Sequence, residues 1–171
     1  LANLPPLING SKPVDGGNLI LTSQEAERFI AENASHASLV APIFGSDEFI
    51  KGKVRYCLWI DDESLAWSKS SPEIQARLDR IVTLRFSSTK QLTKDGAETP
   101  HRFQQIRQRG DERVIIVPSV SSESREYLPV GLLPPRSIIT NLAYGFLSQP
   151  LWCLSLVASR LHLVWIAAVC G

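Results

Sequence analysis

Between Ser119 and Glu126 the chain reads Ser-Val-Ser-Ser-Glu-Ser-Arg-Glu, short hydroxyls around a carboxylate at Glu123 and a guanidinium at Arg125 two positions on. Such groups read hydrogen-bond patterns on a flat polar partner. A carboxylate accepts from the amino group of cytosine, and an Arg fork matches guanine O6 and N7, each good pair discriminating by about 1–3 kcal/mol. Ser121, Ser122 and Ser124 can donate or accept beside them. A surface turn carrying a local Glu–Arg pair uses the same residues, so spacing leaves both readings open.

A polar cassette of this kind needs stiff neighbours. Val114-Ile115-Ile116-Val117, just before it, is a β-branched run that predicts a buried strand. Pro118 ends that strand because it has no N–H for the ladder. Tyr127 to Leu133 follows as a second apolar run, stopped by Pro134-Pro135. Elsewhere, Leu19-Ile20-Leu21 predicts a short strand and Ser23 an N-cap, with Ala26, Phe29 and Ile30 on one face of a helix to about Asn33. Val40–Ile43 and Phe49-Ile50 flank an expected turn at 45–47, Lys51-Gly52 a second turn, and 53–60 alternates as a strand. Ser71-Pro72-Glu73 opens the clearest helix, with Ile74, Leu78, Ile81, Val82 and Arg85 at helical spacing to about Phe86. Residues 87–100 read as a polar loop, 137–140 as a strand and the segment from about Pro150 as helix. This mixture predicts an α+β fold, a mostly antiparallel sheet packed with helices. Residues 1–18 are expected to be an irregular N-terminal segment and 19–171 a single recognition domain.

Net charge is only +1, but its distribution is uneven: residues 1–79 balance at −4 and residues 80–171 at +5. Arg80, Arg85, Lys90, Lys94, Arg102, Arg107 and Arg109 face only Asp95 and Glu98 within 80–109. A basic stripe in a neutral domain suits phosphate contacts on one face, and a solvated helix-and-loop surface is the plain alternative.

Catalytic constellations do not form. Asp15-Gly16-Gly17 is a turn, not a glycine-rich cofactor loop, and Leu4-Pro5-Pro6-Leu7 lacks the amide and the ring of the motif with which amino-methyltransferases hold a flipped base. Asp61-Asp62-Glu63 invites a metal, but acids before Leu65-Ala66-Trp67 equally mark a helix N-terminus. Cys57, Cys153 and Cys170 stand in apolar sequence without CxxC or His spacing, so each reads as a small buried hydrophobe, zinc is not expected, and a reducing cytoplasm fits. Residues 151–170 have the length of a membrane span, yet Arg160 and His162 at the centre favour buried helices; His162 is expected to be a core histidine with one hydrogen bond. No secretory leader is expected. The absence of Met and the Leu-Ala-Asn start suggest a piece of a longer polypeptide whose catalytic machinery lies elsewhere.

Four ordered blocks carry a family resemblance. Residues 118–131 resemble the "PxVSSExRxYxPxG" signature of MmeI-like DNA methyltransferases, single-chain restriction–modification enzymes. Residues 45–61 resemble that family's "G…E.I.G..RYCLWL" segment. Arg85, Ser88, Thr93, Ala97, Pro100 and Phe103 resemble its "R..S…T…A..P..F" stretch, and residues 154–171 its "L.S..H..W...VCG" ending. The resemblance implies a bacterial, cytoplasmic target-recognition domain: double-stranded DNA as partner, no cofactor in this chain, and S-adenosylmethionine and adenine methylation in the rest of the parent chain. It implies base reading by Glu123 and Arg125 with Ser121, Ser122 and Ser124; the basic stripe adds Arg85, Lys90, Arg102, Arg107 and Arg109 as expected phosphate contacts that set register. The rival readings are a protein-interaction domain, whose basic stripe meets an acidic partner, and a small Ser-His-Asp hydrolase.

Overall fold

The computed structural model describes residues 5–122 and 124–170; Glu123 and the Cys170 side chain lie outside the described residues. In chain order the elements are β1 (Ile8–Asn9), β2 (Ile20–Leu21), α1 (Ser23–Glu32), β3 (Val40–Phe44), α2 (Ser46–Lys51), β4 (Arg55–Leu58), α3 (Leu65–Ser68), α4 (Pro72–Phe86) and α5 (Gln91–Asp95). They continue with β5 (Val114–Pro118), β6 (Gly131–Leu132), β7 (Ile138–Ile139), β8 (Ala143–Leu147), α6 (Trp152–Ala158) and α7 (Arg160–Cys170), and short 3-10 turns follow α1 and α5. The fold is α+β and the ladders described here are antiparallel. The chain divides into two compact units, one of residues 11–43 and 54–106, the other of residues 1–10, 44–53 and 107–171.

In the first unit β4 lies between β2 and β3. Thr22, one residue before the expected cap, accepts from the Glu25 N–H while Glu25 reaches back to the Thr22 N–H, a capping box that starts α1. Ile30, expected on the inner face of α1, is partly exposed; Ala26 and Phe29 alone are buried there. Ser71 caps α4, with Pro72 in its first turn. The α4 stripe Ile74, Leu78, Ile81 and Arg85 is buried, which helical spacing dictates for positions 4, 3 and 4 apart. The expected loop 87–100 contains α5 and a 3-10 turn instead.

In the second unit the sheet order is β1-β8-β5-β6. The N-terminal segment is therefore not wholly irregular, since Ile8 and Asn9 pair with Gly145 and Tyr144. Gly10 follows so closely on Ile139 and Thr140 that a Cβ there would overlap their carbonyl oxygens. Central β5 is buried on both faces. Val114 and Ile116 pack with Phe44, Leu133, Ile139 and Ala143, whereas Ile115 and Val117 pack with Phe146 and with Cys153 and Val157 of α6. The expected turn at 45–47 is instead the start of α2, which takes in Phe49 and Ile50; the Glu48 carboxylate accepts from the Gly45 N–H, and Gly52 closes the helix in the left-handed region. The buried-helix expectation for 151–170 holds for the inner face of α6 only: at Ser159 the axis bends by 55°, and α7 leaves Leu161, Val164, Trp165 and Val169 exposed. No single helix is long and apolar enough to cross a membrane among the described residues.

Candidate nucleic-acid interface

The exit from β5 is pinned. The Ser119 N–H donates to Ser46 Oγ at 2.8 Å, and Ser119 Oγ donates to the Leu142 carbonyl at 2.7 Å. Buried Ser46, the first residue of α2, donates to that same carbonyl. Sequence reasoning missed Ser46; its only signal is a hydroxyl at the start of a segment that resembles a turn. Nine residues on, Leu128 packs against the Ile115–Val117 face. Between these anchors the chain projects: Val120, Ser121, Ser122, Ser124, Arg125, Glu126 and Tyr127 are all exposed.

Within the projection Ser122 and Ser124 share a hydroxyl hydrogen bond of 2.7 Å, and the Arg125 N–H donates to the Ser122 carbonyl at 3.1 Å, closing a turn. Three of the five expected base-reading residues, Ser122, Ser124 and Arg125, thus share one exposed turn, with Ser121 exposed just before it; Glu123, the fifth, lies outside the described residues. Glu126 meets Arg160 of α7 at 3.3 Å, and a groove of about 640 Å3 runs between this segment and Leu163, Val164 and Ile166.

The expected phosphate ligands divide between the units. Arg107 and Arg109 share the cassette's unit and are exposed. Arg109 pairs with Asp111 at 3.2 Å and lies 3.9 Å from Glu112, whose carboxylate also accepts from the Arg109 and Gly110 N–H groups. Lys90 and Arg102 belong to the other unit, Lys90 exposed before α5 and Arg102 half-buried.

Arg85, expected at a phosphate, requires correction. It is fully buried at 0% exposure. Nε donates to the Val14 carbonyl at 3.1 Å, Nη1 to Gly96 at 2.7 Å and Thr99 at 3.0 Å, and Nη2 to Pro13 at 3.1 Å and Arg102 at 2.7 Å. An Arg has five N–H donors, and each is spent on a backbone carbonyl. Burial lowers its pKa from the ordinary value, with Asp15 acting the other way. Nothing remains for an external anion. Its role is to tie the 13–14 backbone, where Val14 holds φ +47°, to the 96–102 loop.

The Asp61-Asp62-Glu63 cluster does structural work, and no group of side chains fit to hold a metal occurs among the described residues. Asp61 accepts from the Ser64 N–H at 2.7 Å ahead of α3. Asp62 accepts from His101 Nε2 at 2.8 Å and from Arg102 Nη2 at 2.5 Å. The His101 hydrogen bond, reinforced by the Arg102 charge, holds the Asp62 carboxyl below the usual carboxylate range. Cys57 and Cys153 are buried thiols outside any disulfide, as expected. Half-buried His162 makes one hydrogen bond through Nδ1, to the Val157 carbonyl at 3.0 Å.

Comparison with known proteins completes the picture. The family described as "MmeI, target recognition domain" matches residues 1–171. DNA methyltransferase A of Bacillus subtilis (strain 168) is 36% identical over 171 residues, which are 100% of this chain and 19% of that protein. The solved structure of the type IIL restriction-modification enzyme MmeI in complex with DNA is 31% identical, superimposes with a TM-score of 0.87, and covers 96% of this chain and 22% of that one. The chain therefore spans about a fifth of the length of these relatives.

Proposed function

Because this chain belongs to the MmeI target-recognition-domain family, we propose that it reads double-stranded DNA sequence for a larger bacterial, cytoplasmic restriction–modification methyltransferase. The observation that carries this reading is the full-length family match joined to an exposed, doubly anchored Ser/Arg turn. Arg125 and Glu123 reach base edges in a groove, with Ser121, Ser122 and Ser124 supplementing them. Arg107 and Arg109, in the same unit, take phosphates, and Lys90 and Arg102 are the proposed phosphate contacts of their own unit. Arg85 has no part in this.

The rest of the polypeptide supplies the chemistry. S-adenosylmethionine and the target adenine would be held there, since this sequence has no glycine-rich cofactor loop and no base-clamping Pro-Pro-aromatic motif. Between Ser119 and Leu128 the recognition loop's job is orientation. A guanidinium at the tip of a pinned turn presents its fork without ordering a long loop at the moment of binding.

The test is a charge reversal, Glu123→Lys with Arg125→Asp, in the full-length enzyme. Sequencing of methylated positions is expected to show a changed recognition sequence with methylation retained. Methylation of the original sites by the double variant would refute the assignment.

A further inference from the structure

We propose that Arg160, at the start of α7, is a positioning residue for the recognition turn. It serves as counter-ion to Glu126, so that this carboxylate neither claims the Arg125 guanidinium nor meets DNA phosphates unneutralised. The role rests on the DNA-reading assignment of the turn. Between Ser119 and Leu128 the chain carries two carboxylates, Glu123 and Glu126, and one guanidinium, Arg125. That balance is −1, on a surface meant to approach a polyanion, where positive potential is needed. The missing charge comes from elsewhere in the same unit. Arg160 Nη1 lies 3.3 Å from Glu126 Oε1, and Arg160 lines the same groove as Ser121, Ser122 and Arg125.

Helix stability does not account for Arg160. Ser159 Oγ accepts from the His162 N–H at 3.2 Å and so caps α7. Arg160 is then the first helical residue, at the positive end of the helix dipole, where a cation is disfavoured. No other Asp, Glu, Lys or Arg occurs between 151 and 170. Nor does the pair add much to the free protein: the Arg160 and Glu126 side chains are 69% and 62% exposed, and solvated pairs contribute little. Its weight comes when DNA covers the turn. Glu126 then loses water, and without Arg160 it would face phosphates as an unpaired carboxylate, the costly case.

The experiment measures binding of the full-length enzyme to a duplex carrying the sequence that the wild type methylates, and to duplexes with single base changes in it. Arg160→Ala is expected to weaken binding to the first duplex about tenfold and to leave thermal unfolding unmoved. Adding Glu126→Gln, which removes the uncompensated charge, should restore most of the loss, and Arg160→Lys should show little of it. Wild-type affinity in Arg160→Ala would overturn the proposal. So would a loss that Glu126→Gln does not repair, because Arg160 would then touch DNA itself or merely tether the turn. Arg125→Ala in the same assay separates this role from the reading beneath it. If Arg125→Ala leaves single-base discrimination unchanged, the turn does not read bases and both fall. If it lowers discrimination while Arg160→Ala has no effect, only the counter-ion role falls.

Discussion

Two arginine-bearing loops can be set side by side: the turn that carries Arg125 and the 96–104 loop that rests on Arg85. Read from sequence alone, both arginines look like ligands for an anionic partner. In the first, the loop's ends are fixed by Ser119 and Leu128 and the guanidinium is left at the surface. In the second, the guanidinium is the anchor, consuming carbonyls of Pro13, Val14, Gly96, Thr99 and Arg102. What separates them is where the backbone acceptors converge, not residue type. A buried Arg needs a carbonyl for each N–H to offset its desolvation.

The largest effect is expected from breaking the second loop. Arg85→Ala leaves five carbonyl oxygens without their donor, a loss on the order of 4 kcal/mol in chemical denaturation. Arg85→Lys keeps the charge but offers only three donors, and about 2 kcal/mol is expected. If Arg85 served a phosphate instead, Arg85→Lys would be silent in denaturation.

The first loop gives a smaller figure. Ser46→Ala removes the acceptor for the Ser119 N–H and a donor to Leu142, costing about 1–2 kcal/mol. Loosening the exit of β5 should also lower discrimination between the cognate DNA site and single-mismatch sites several-fold. An unaltered discrimination ratio would show that the turn orients itself without this pin.

Arg107→Ala sharpens the contrast between exposed and buried cations. Affinity should fall about equally for all DNA sequences, and the slope of log K against log salt should shrink by about one unit. Arg85→Lys, measured where it is folded, should leave that slope alone. Equal slopes for wild type and Arg107→Ala would remove Arg107 from the phosphate contacts.

The burial of Arg85 was legible in its spacing, because it continues the Ile74, Leu78, Ile81 stripe of α4; its charge pointed the other way. β5, α1 and α4 were equally legible, since each has a strong period and a clear boundary residue. β8 was not. Ala143–Leu147 carries Gly145 at its centre, where a Cβ would stand 2.6 Å from Ile139 Cδ1; a residue chosen for close packing masks the strand pattern. α2 and α5 are 6 and 5 residues long, too short for periodicity to register, and tertiary packing holds them. Nor can composition tell which of two consecutive apolar helices is covered: α6 buries Cys153 and Val157 while α7 stays bare. The cassette was legible as chemistry through Arg125 and its serines, but its pin was not, because Ser46 and Ser119 are 73 residues apart.

The smallest expected effect concerns an exposed carboxylate that ties the 96–104 loop from outside it. Asp62 accepts from both His101 and Arg102, and its pKa is lowered in the fold, by the His101 hydrogen bond first. A carboxylate depressed on folding adds stability that is fully present above its unfolded value, near 3.9, and is lost as pH falls through the lower folded value. Wild type should therefore lose this contribution only below about pH 4, while Asp62→Asn should show a flatter stability profile there and no difference in pH dependence between pH 6 and 8. If Asp62→Asn instead destabilised the chain as much as Arg85→Ala is expected to, the loop would depend on its exposed carboxylate as heavily as on its buried guanidinium, and the contrast between the two kinds of anchor would fail.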